Sequence, residues 1–334
     1  MKAAVYRHYG SPDVVRIEDV EKPSPKDNEV LIEVRAASVN PLDWHGVRGK
    51  PYIMRLLGGG LREPKQARLG MDVSGQVEAV GRNVTRFKPG DAVFGGCLGL
   101  WAFAEYACAP ESALVAKPDN LTFEQAASVP VAAFTALQGL RDKGQVQPDR
   151  KILINGAAGG VGTFAVQIGK WLGADVTGVC STRNVELVRS LGADRVIDYT
   201  REDFTRGAQR YDVILDAVGN RSLSAYRRAL VPKGICAIAT GPDGRWLGPL
   251  SRFVAALALS PVMSQKLIPF IARPNVADLT ILCDLMKAGK VTPVIDRCYK
   301  LSEISAAIRY LEEGHAHGKV VITLASERQT STAT

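Results

Sequence analysis

The stretch "KILINGAAGGVGTFAVQIGKWLG", residues 151–173, constrains the fold more than any other. Lys151 to Ile154 reads as a short buried strand, and from Gly159 the apolar spacing is helical. A glycine-rich turn that leaves a strand and opens a helix points backbone amides at the positive end of a helix dipole, where phosphates bind. The turn reads A-x-G-x-x-G over 157–162. Gly159 would let the backbone approach a pyrophosphate, and Gly162 would let the helix pack close to the sheet. The amides of Gly160 and Val161, with Ala158 in the same turn, would face the phosphates. The bland alternative is a tight strand–helix turn that binds nothing.

The turn opens a longer alternation. Strands are expected at 151–156, 175–180, 195–199, 211–217 and 234–240, with helices near 160–172, 184–191 and 222–231. Such spacing means right-handed βαβ units: an α/β fold with a doubly wound parallel sheet. Before it, "EVLIEVRAASV", "VSGQVEAVG" and "DAVFGG" read as strands and "KPGD" as a turn. There, only the stretch around Tyr52–Leu57 has convincing helical spacing. "TFEQAASVPVAAFTALQGL" reads as helical. After the alternation come two amphipathic helices, "ADLTILCDLMKAG" and "SEISAAIRYLEEG", and a last strand, "KVVITL". These breaks divide the chain into 1–123, 124–273 and 274–325, and the apolar-poor tail 326–334 is expected to be disordered.

The segment "GVCSTRN", 178–184, bears on the nucleotide. About twenty residues past the glycine turn, an NAD site offers an Asp or Glu to the ribose hydroxyls. Here Ser181, Thr182 and Arg183 stand instead. A cation in a helix's first turn is disfavoured by about 0.3–1 kcal/mol unless an anion sits beside it. A ribose 2′-phosphate would be that anion, with Arg183 gripping it and Ser181 and Thr182 donating hydroxyl bonds. The cofactor expected is therefore NADPH rather than NADH; an arginine that merely sits in an exposed loop is the alternative. Tyr199, ending the third strand, either packs at the adenosine end or is a plain core tyrosine.

Composition narrows the class. The chain is 46% hydrophobic and 23% charged, the mix of a globular protein, and has no apolar run of membrane-spanning length. Its start, "MKAAVYRHYG", leads into a strand-like segment, so no signal peptide is expected. Six cysteines, at 97, 108, 180, 236, 283 and 298, form no C-x-x-C pair. Free thiols in a reducing, cytoplasmic setting are expected. A net charge of +8 is spread without a block and reads as a solvated basic surface rather than a nucleic-acid or membrane footprint.

Segments in order along the chain now carry a resemblance: "AASVNPLDWHGVRG", "LGMDVSGQVEAVG", "FKPGDAVFG", "FAEYA", "SVPVAAFTALQGL", "NGAAGGVGTFAVQIGK", "GADRVIDY" and "GHAHGKVVI". They resemble the medium-chain dehydrogenase/reductase superfamily, in its zinc-free quinone oxidoreductase-like branch. The resemblance implies a GroES-like barrel domain built from the N-terminal portion and the C-terminal end, a Rossmann domain between them, and an active site in the interdomain cleft. It also implies cofactor contacts from Asn40, Thr135, Val218, the loop of His315 and His317, and Lys319. In similar zinc-free reductases a tyrosine near position 52 serves as hydrogen-bond or proton donor, and the asparagine contacts substrate or nicotinamide. Tyr52 departs by one residue from the commoner spacing. His45 falls at the proton-relay histidine of the zinc enzymes.

Zinc is not expected. Where the zinc alcohol dehydrogenases resembled here have a first cysteine ligand, this chain has Asn40, and their His-Glu pair falls on Met71-Asp72. Amide and thioether are poor zinc ligands, and the four-cysteine lobe is missing. Without a metal, quinones and α,β-unsaturated carbonyls are the accessible acceptors, because added charge spreads into a hydroquinone anion or enolate. Hydrogen-bond donors then suffice; the segment 40–52 offers Asn40, Asp43, His45, Arg48 and Tyr52, with Tyr52, Asn40 and His45 in the lead. A non-catalytic NADPH-binding or RNA-binding relative, and an alcohol dehydrogenase, remain the other readings.

The apolar stretch 249–272 is interrupted by Pro261 and Pro269. Phe253, Val254, Leu257 and Ala258 stand at helical spacing and predict one apolar face, covering the cofactor domain, capping the cleft or packing in a dimer. Peripheral membrane contact is a minor reading. "KLIPFIA" reads as an edge strand, and similar enzymes pair such edges, so a homodimer is expected.

Overall fold

Runs such as "KILI" and "VILD" bury strands on both faces, and the alternating helices supply the cover. The computed structural model describes residues 1–65, 68–96, 99–240, 249–259 and 264–324. Cys97, Pro261 and the tail 326–334 lie outside them. The chain forms two units, one from residues 1–131, 274–287 and 293 onward, the other from 132–273 and 288–292.

The second unit holds a six-stranded sheet. From edge to edge its strands are Arg195–Asp198, Asp175–Cys180, Lys151–Asn155, Tyr211–Asp216, Leu230–Ile238 and Lys266–Pro269. Every pairing is parallel. Numbered along the chain, this order is 3-2-1-4-5-6, the doubly wound Rossmann arrangement. The order reverses between Lys151–Asn155 and Tyr211–Asp216, so the loops after those two strands border the crevice where such sheets bind ligands. Leu153, Val179, Ile214, Tyr226 and Ile238 build its core. "KLIP" is an edge strand, as its sequence suggests.

The first unit is mainly antiparallel. Its seven-stranded sheet runs Ile295–Lys300, Lys319–Thr323, Glu29–Val39, Asp72–Val80, Ala92–Gly96 and Leu114–Ala116, with Tyr106–Pro110 also on Glu29–Val39. The long strand Glu29–Val39 shares one edge between two partners: residues 29–33 pair with Tyr106–Pro110 and 36–39 with Lys319–Thr323. Lys319 thus reaches the segment that follows Val39.

Two elements differ from the sequence pattern. Pro41–Arg48 is an α-helix, although only 52–57 carries convincing helical spacing; that later segment is helical as expected, passing into the π-helix Arg55–Gly59. In the helix Pro249–Leu259, the expected apolar face does not cover the cofactor domain, and of its four members only Phe253 packs on the core. Val254 and Leu257 are 60% and 63% exposed, whereas Arg252 and Ala256 are buried. Arg252 goes inward because a buried carboxylate, Asp216, receives it. No helix among the described residues is long and apolar enough to cross a membrane.

Candidate active site

The glycine turn stands at the reversal point. The helix Gly160–Trp171 starts from Gly159, and its first-turn amides have no carbonyl partner within the helix. A Cβ at Gly162 would run into the Gly156 carbonyl, so only glycine lets the helix lie this close to the strand. Gly156 has φ of +86°. Its position against Val218 is also close: an added Cβ would meet Val218 Cγ2 at 2.5 Å. Ala158 is buried, while Gly159, Gly160 and Val161 are half-buried. Val218, in the loop after Asp216, is exposed. This cradle of free amides at a helix N-terminus fits a dinucleotide pyrophosphate.

Ser181, Thr182 and Arg183 lie past the neighbouring strand, in and before a short 3₁₀ turn. Arg183 is exposed. Thr182 is not free to donate as the sequence reading supposes: its Oγ1 bonds Asp198 Oδ2 at 2.6 Å. Thr200 also bonds Asp198, at 2.8 Å through its hydroxyl. These hydrogen bonds, led by that of Thr182, hold the Asp198 carboxyl below the usual range. A carboxylate is therefore present beside this segment, contributed by the third strand rather than the second. Tyr199 follows it and is half exposed, which removes the core-tyrosine reading. Thr135 is half-buried on the helix Pro130–Leu137.

In the first unit a buried polar cluster surrounds Asn40. Lys319 Nζ donates to Asn40 Oδ1 at 2.6 Å and lies 3.6 Å from Asp72 Oδ2. Asn40 Nδ2 donates to Asp72 Oδ2 at 2.9 Å, and Ser38 Oγ donates to the same oxygen at 2.7 Å. The Val131 amide donates to Asp72 Oδ1 at 3.1 Å. Burial lowers the affinity of Lys319 for its proton, opposed by Asp72 and Asp43. Asn40 and Lys319, expected to reach substrate and cofactor, thus spend their polar atoms on one another and on Asp72. Asp43 completes the cluster. Its two oxygens accept from the amides of Asn40, at 2.7 Å, and Gly70, at 3.0 Å. Burial nevertheless pushes its carboxyl up to about 7. Asp72 and Ser38 are the members that sequence reasoning leaves unassigned as site residues; Asp43, a candidate donor there, instead accepts from two amides, and Arg48 pairs with Glu312 at 2.7 Å. The Asn40–Asp43 spacing at a helix start, with proline first, signals a cap but not the cluster.

His45 sits on the helix Pro41–Arg48, stacked on Trp44, with Nδ1 2.9 Å from the Lys50 carbonyl. An Nδ1–H donated to that carbonyl leaves Nε2 as the acceptor nitrogen. Arg55 fastens the following loop: its Nε donates to the Gly49 carbonyl at 2.7 Å. Its guanidinium lies 4.0 Å from the Tyr9 ring centre and 4.9 Å from that of Tyr52. Tyr52 is thereby held half-buried beside a cation. The loop of His315 and His317 is anchored by Asp296, whose Oδ2 accepts from the His317 amide at 2.9 Å and the Tyr310 hydroxyl at 2.8 Å. Among the described residues no three His, Cys, Asp or Glu side chains converge as a metal-holding group. Asn40, Met71 and an ammonium are a poor donor set for zinc.

Comparison with known proteins agrees with this architecture. Residues 26–119 match the alcohol dehydrogenase GroES-like domain, and 191–322 match the zinc-binding dehydrogenase model. The chain is 33% identical to the chloroplast envelope quinone oxidoreductase homolog of Arabidopsis thaliana, covering 96% of this chain and 98% of that one. It is 34% identical to a chloroplastic NADPH-dependent alkenal/one oxidoreductase of the same plant, over 96% and 79%. The solved structure of the quinone oxidoreductase from Coxiella burnetii superposes with a TM-score of 0.86 at 31% identity, covering 97% and 99%.

Proposed function

The chain belongs to the medium-chain dehydrogenase/reductase superfamily, and on that premise we propose that it is an NADPH-dependent, zinc-independent reductase of quinones or α,β-unsaturated carbonyl compounds. What carries the reading is a dinucleotide turn at the sheet's reversal point, in a chain that is similar along nearly its whole length to relatives named for quinone and alkenal/one reduction.

NADPH, when bound, supplies the hydride. The amides of 160–162 hold its pyrophosphate, and Ser181 and Arg183 hold its 2′-phosphate. Tyr52 directs its hydroxyl at the acceptor's carbonyl oxygen, where charge develops, and His45, whose Nδ1–H is held by the Lys50 carbonyl, serves as a second donor through Nε2 only when its ring carries both protons. Asn40 and Lys319 hold each other and Asp72 in a fixed polar cluster with a buried cation. The enzyme works as a homodimer in the reducing cytoplasm, in keeping with six cysteines that form no C-x-x-C pair.

The test is NADPH oxidation by purified protein with a panel of quinones, enones and simple ketones in chelator-treated buffer. Turnover of quinones or enones, with ketones inert, is the expected result. NADPH binding without turnover on any acceptor would leave a nucleotide-binding protein instead.

A further inference from the structure

Beneath the nucleotide turn lies an ion pair to which the reaction scheme gives no role. Asn155 and Asp216 are the last residues of the two strands that flank the reversal point. Asn155 Nδ2 ties them together by donating to Asp216 Oδ1 at 2.9 Å. From the helix Pro249–Leu259, Arg252 places one guanidinium nitrogen 2.7 Å from Asp216 Oδ2. Its other terminal nitrogen donates to the carbonyls of Gly219 and Arg221, each at 2.8 Å. Asp216 Oδ1 in turn accepts from the amides of Val218, at 3.2 Å, and Gly219, at 2.9 Å. The loop 217–221 is thus gripped from both sides, its N–H groups by Asp216 and its carbonyls by Arg252. Its Val218 is the residue that meets the Gly156 turn.

We propose that Arg252 is a positioning residue for the cofactor: through Asp216 and the 217–221 loop it sets the wall of the crevice against the glycine turn. The proposal rests on the reading that NADPH occupies that turn. Arg252 is 7% exposed, while Val254 and Leu257 of the same helix face outward. Burying an ion pair where an apolar side chain would pack gains little stability, since desolvation offsets the Coulomb attraction. An apolar residue at 252 would still attach the helix. It would not fix two loop carbonyls and a carboxylate in one plane, which a guanidinium does.

NADPH titration of Arg252→Gln and Asp216→Asn tests this, with melting temperature measured alongside. Each variant is expected to raise the NADPH Kd by roughly tenfold or more, as for loss of a charge-assisted bond. The maximal rate at saturating NADPH should fall far less, and the acceptor KM should hardly move. The double variant should be little worse than either single one, because both break the same link. Arg252→Lys keeps the charge but not the fork and should recover only part. A lowered melting temperature with unchanged NADPH Kd would make Arg252 merely structural and overturn the proposal. Should the variants fail to fold, amide exchange in the wild type decides: NADPH must slow Val218 and Gly219, and identical rates with and without it would overturn the proposal. Failure of the wild type to bind NADPH would sink the cofactor reading itself. Equal binding by wild type and variants would sink only the role of Arg252.

Discussion

Thr182 Oγ1 and Asp198 Oδ2 lie 2.6 Å apart, which puts a carboxylate beside the segment expected to grip a 2′-phosphate. Arg201, 3.4 Å from the same oxygen, offsets part of that charge. On the proposed 2′-phosphate, attraction from Arg183 and repulsion from Asp198 would oppose each other. Arg183→Ala is expected to lower the NADPH:NADH affinity ratio by about tenfold or more. Asp198→Asn is expected to raise it by roughly two- to fivefold, and less at high salt. Paired titrations with both nucleotides check the two signs; a ratio unmoved by Arg183→Ala removes that residue from the phosphate site.

Tyr52 carries the next prediction. Tyr52→Phe should slow enone reduction by roughly ten- to a thousandfold, the loss of about 1.4–4 kcal/mol of stabilisation of the developing oxyanion, with NADPH affinity little changed. A quinone should suffer less, because its acceptor is already activated. Steady-state kinetics on both acceptors make the comparison. Unchanged enone kinetics would shift the donor role to His45 or to a cofactor hydroxyl.

The strands of the nucleotide-binding unit were legible because burial on both faces writes itself as apolar or β-branched runs: "KILI" and "DVTGVC" start where expected. The helix Pro41–Arg48 was not, because Gly46 and its mixed polarity blur the 3.6-residue period. Its signal was local instead, in Asp43 reaching back to the Asn40 amide. Lys319 and Asn40 are far apart in sequence, and no local pattern announces that the ammonium turns inward. Arg252 misleads for the same reason. The period of its helix favours burying Val254 and Leu257, but a carboxylate on a distant strand decides the rotation.

Asp43 predicts a pH dependence. Burial raises its carboxyl from 3.8 to about 7 in the folded chain. A raised folded value means stability that is fully present below the unfolded pKa and is lost as pH climbs through the folded one. Between about pH 4 and pH 7 Asp43 therefore subtracts stability as pH rises. Asp43→Asn cannot ionise, so its melting temperature should depend less on pH across that window. It should melt lower than the wild type at acid pH, since one amide loses its acceptor, and the gap should narrow as pH rises through 7. Parallel pH slopes for wild type and variant would contradict the assignment.

Association is predicted through the edge of the parallel sheet. Lys266–Pro269 is an edge strand, and Ile271 just beyond it is 77% exposed. Light scattering at micromolar concentration should give twice the chain mass for wild type and the single-chain mass for Ile271→Asp. A monomeric wild type would contradict the dimer.

The most direct measurement follows the hydride itself. NADPH deuterated at its transferable C4 position is supplied with an enone in metal-free buffer, and the product is analysed alongside the zinc content of the protein. The expected result is deuterium on the carbon β to the carbonyl, with far less than one zinc per chain and no effect of chelators. A product without deuterium, or activity that disappears with chelation and returns with about one zinc per chain, would contradict a zinc-independent hydride transfer.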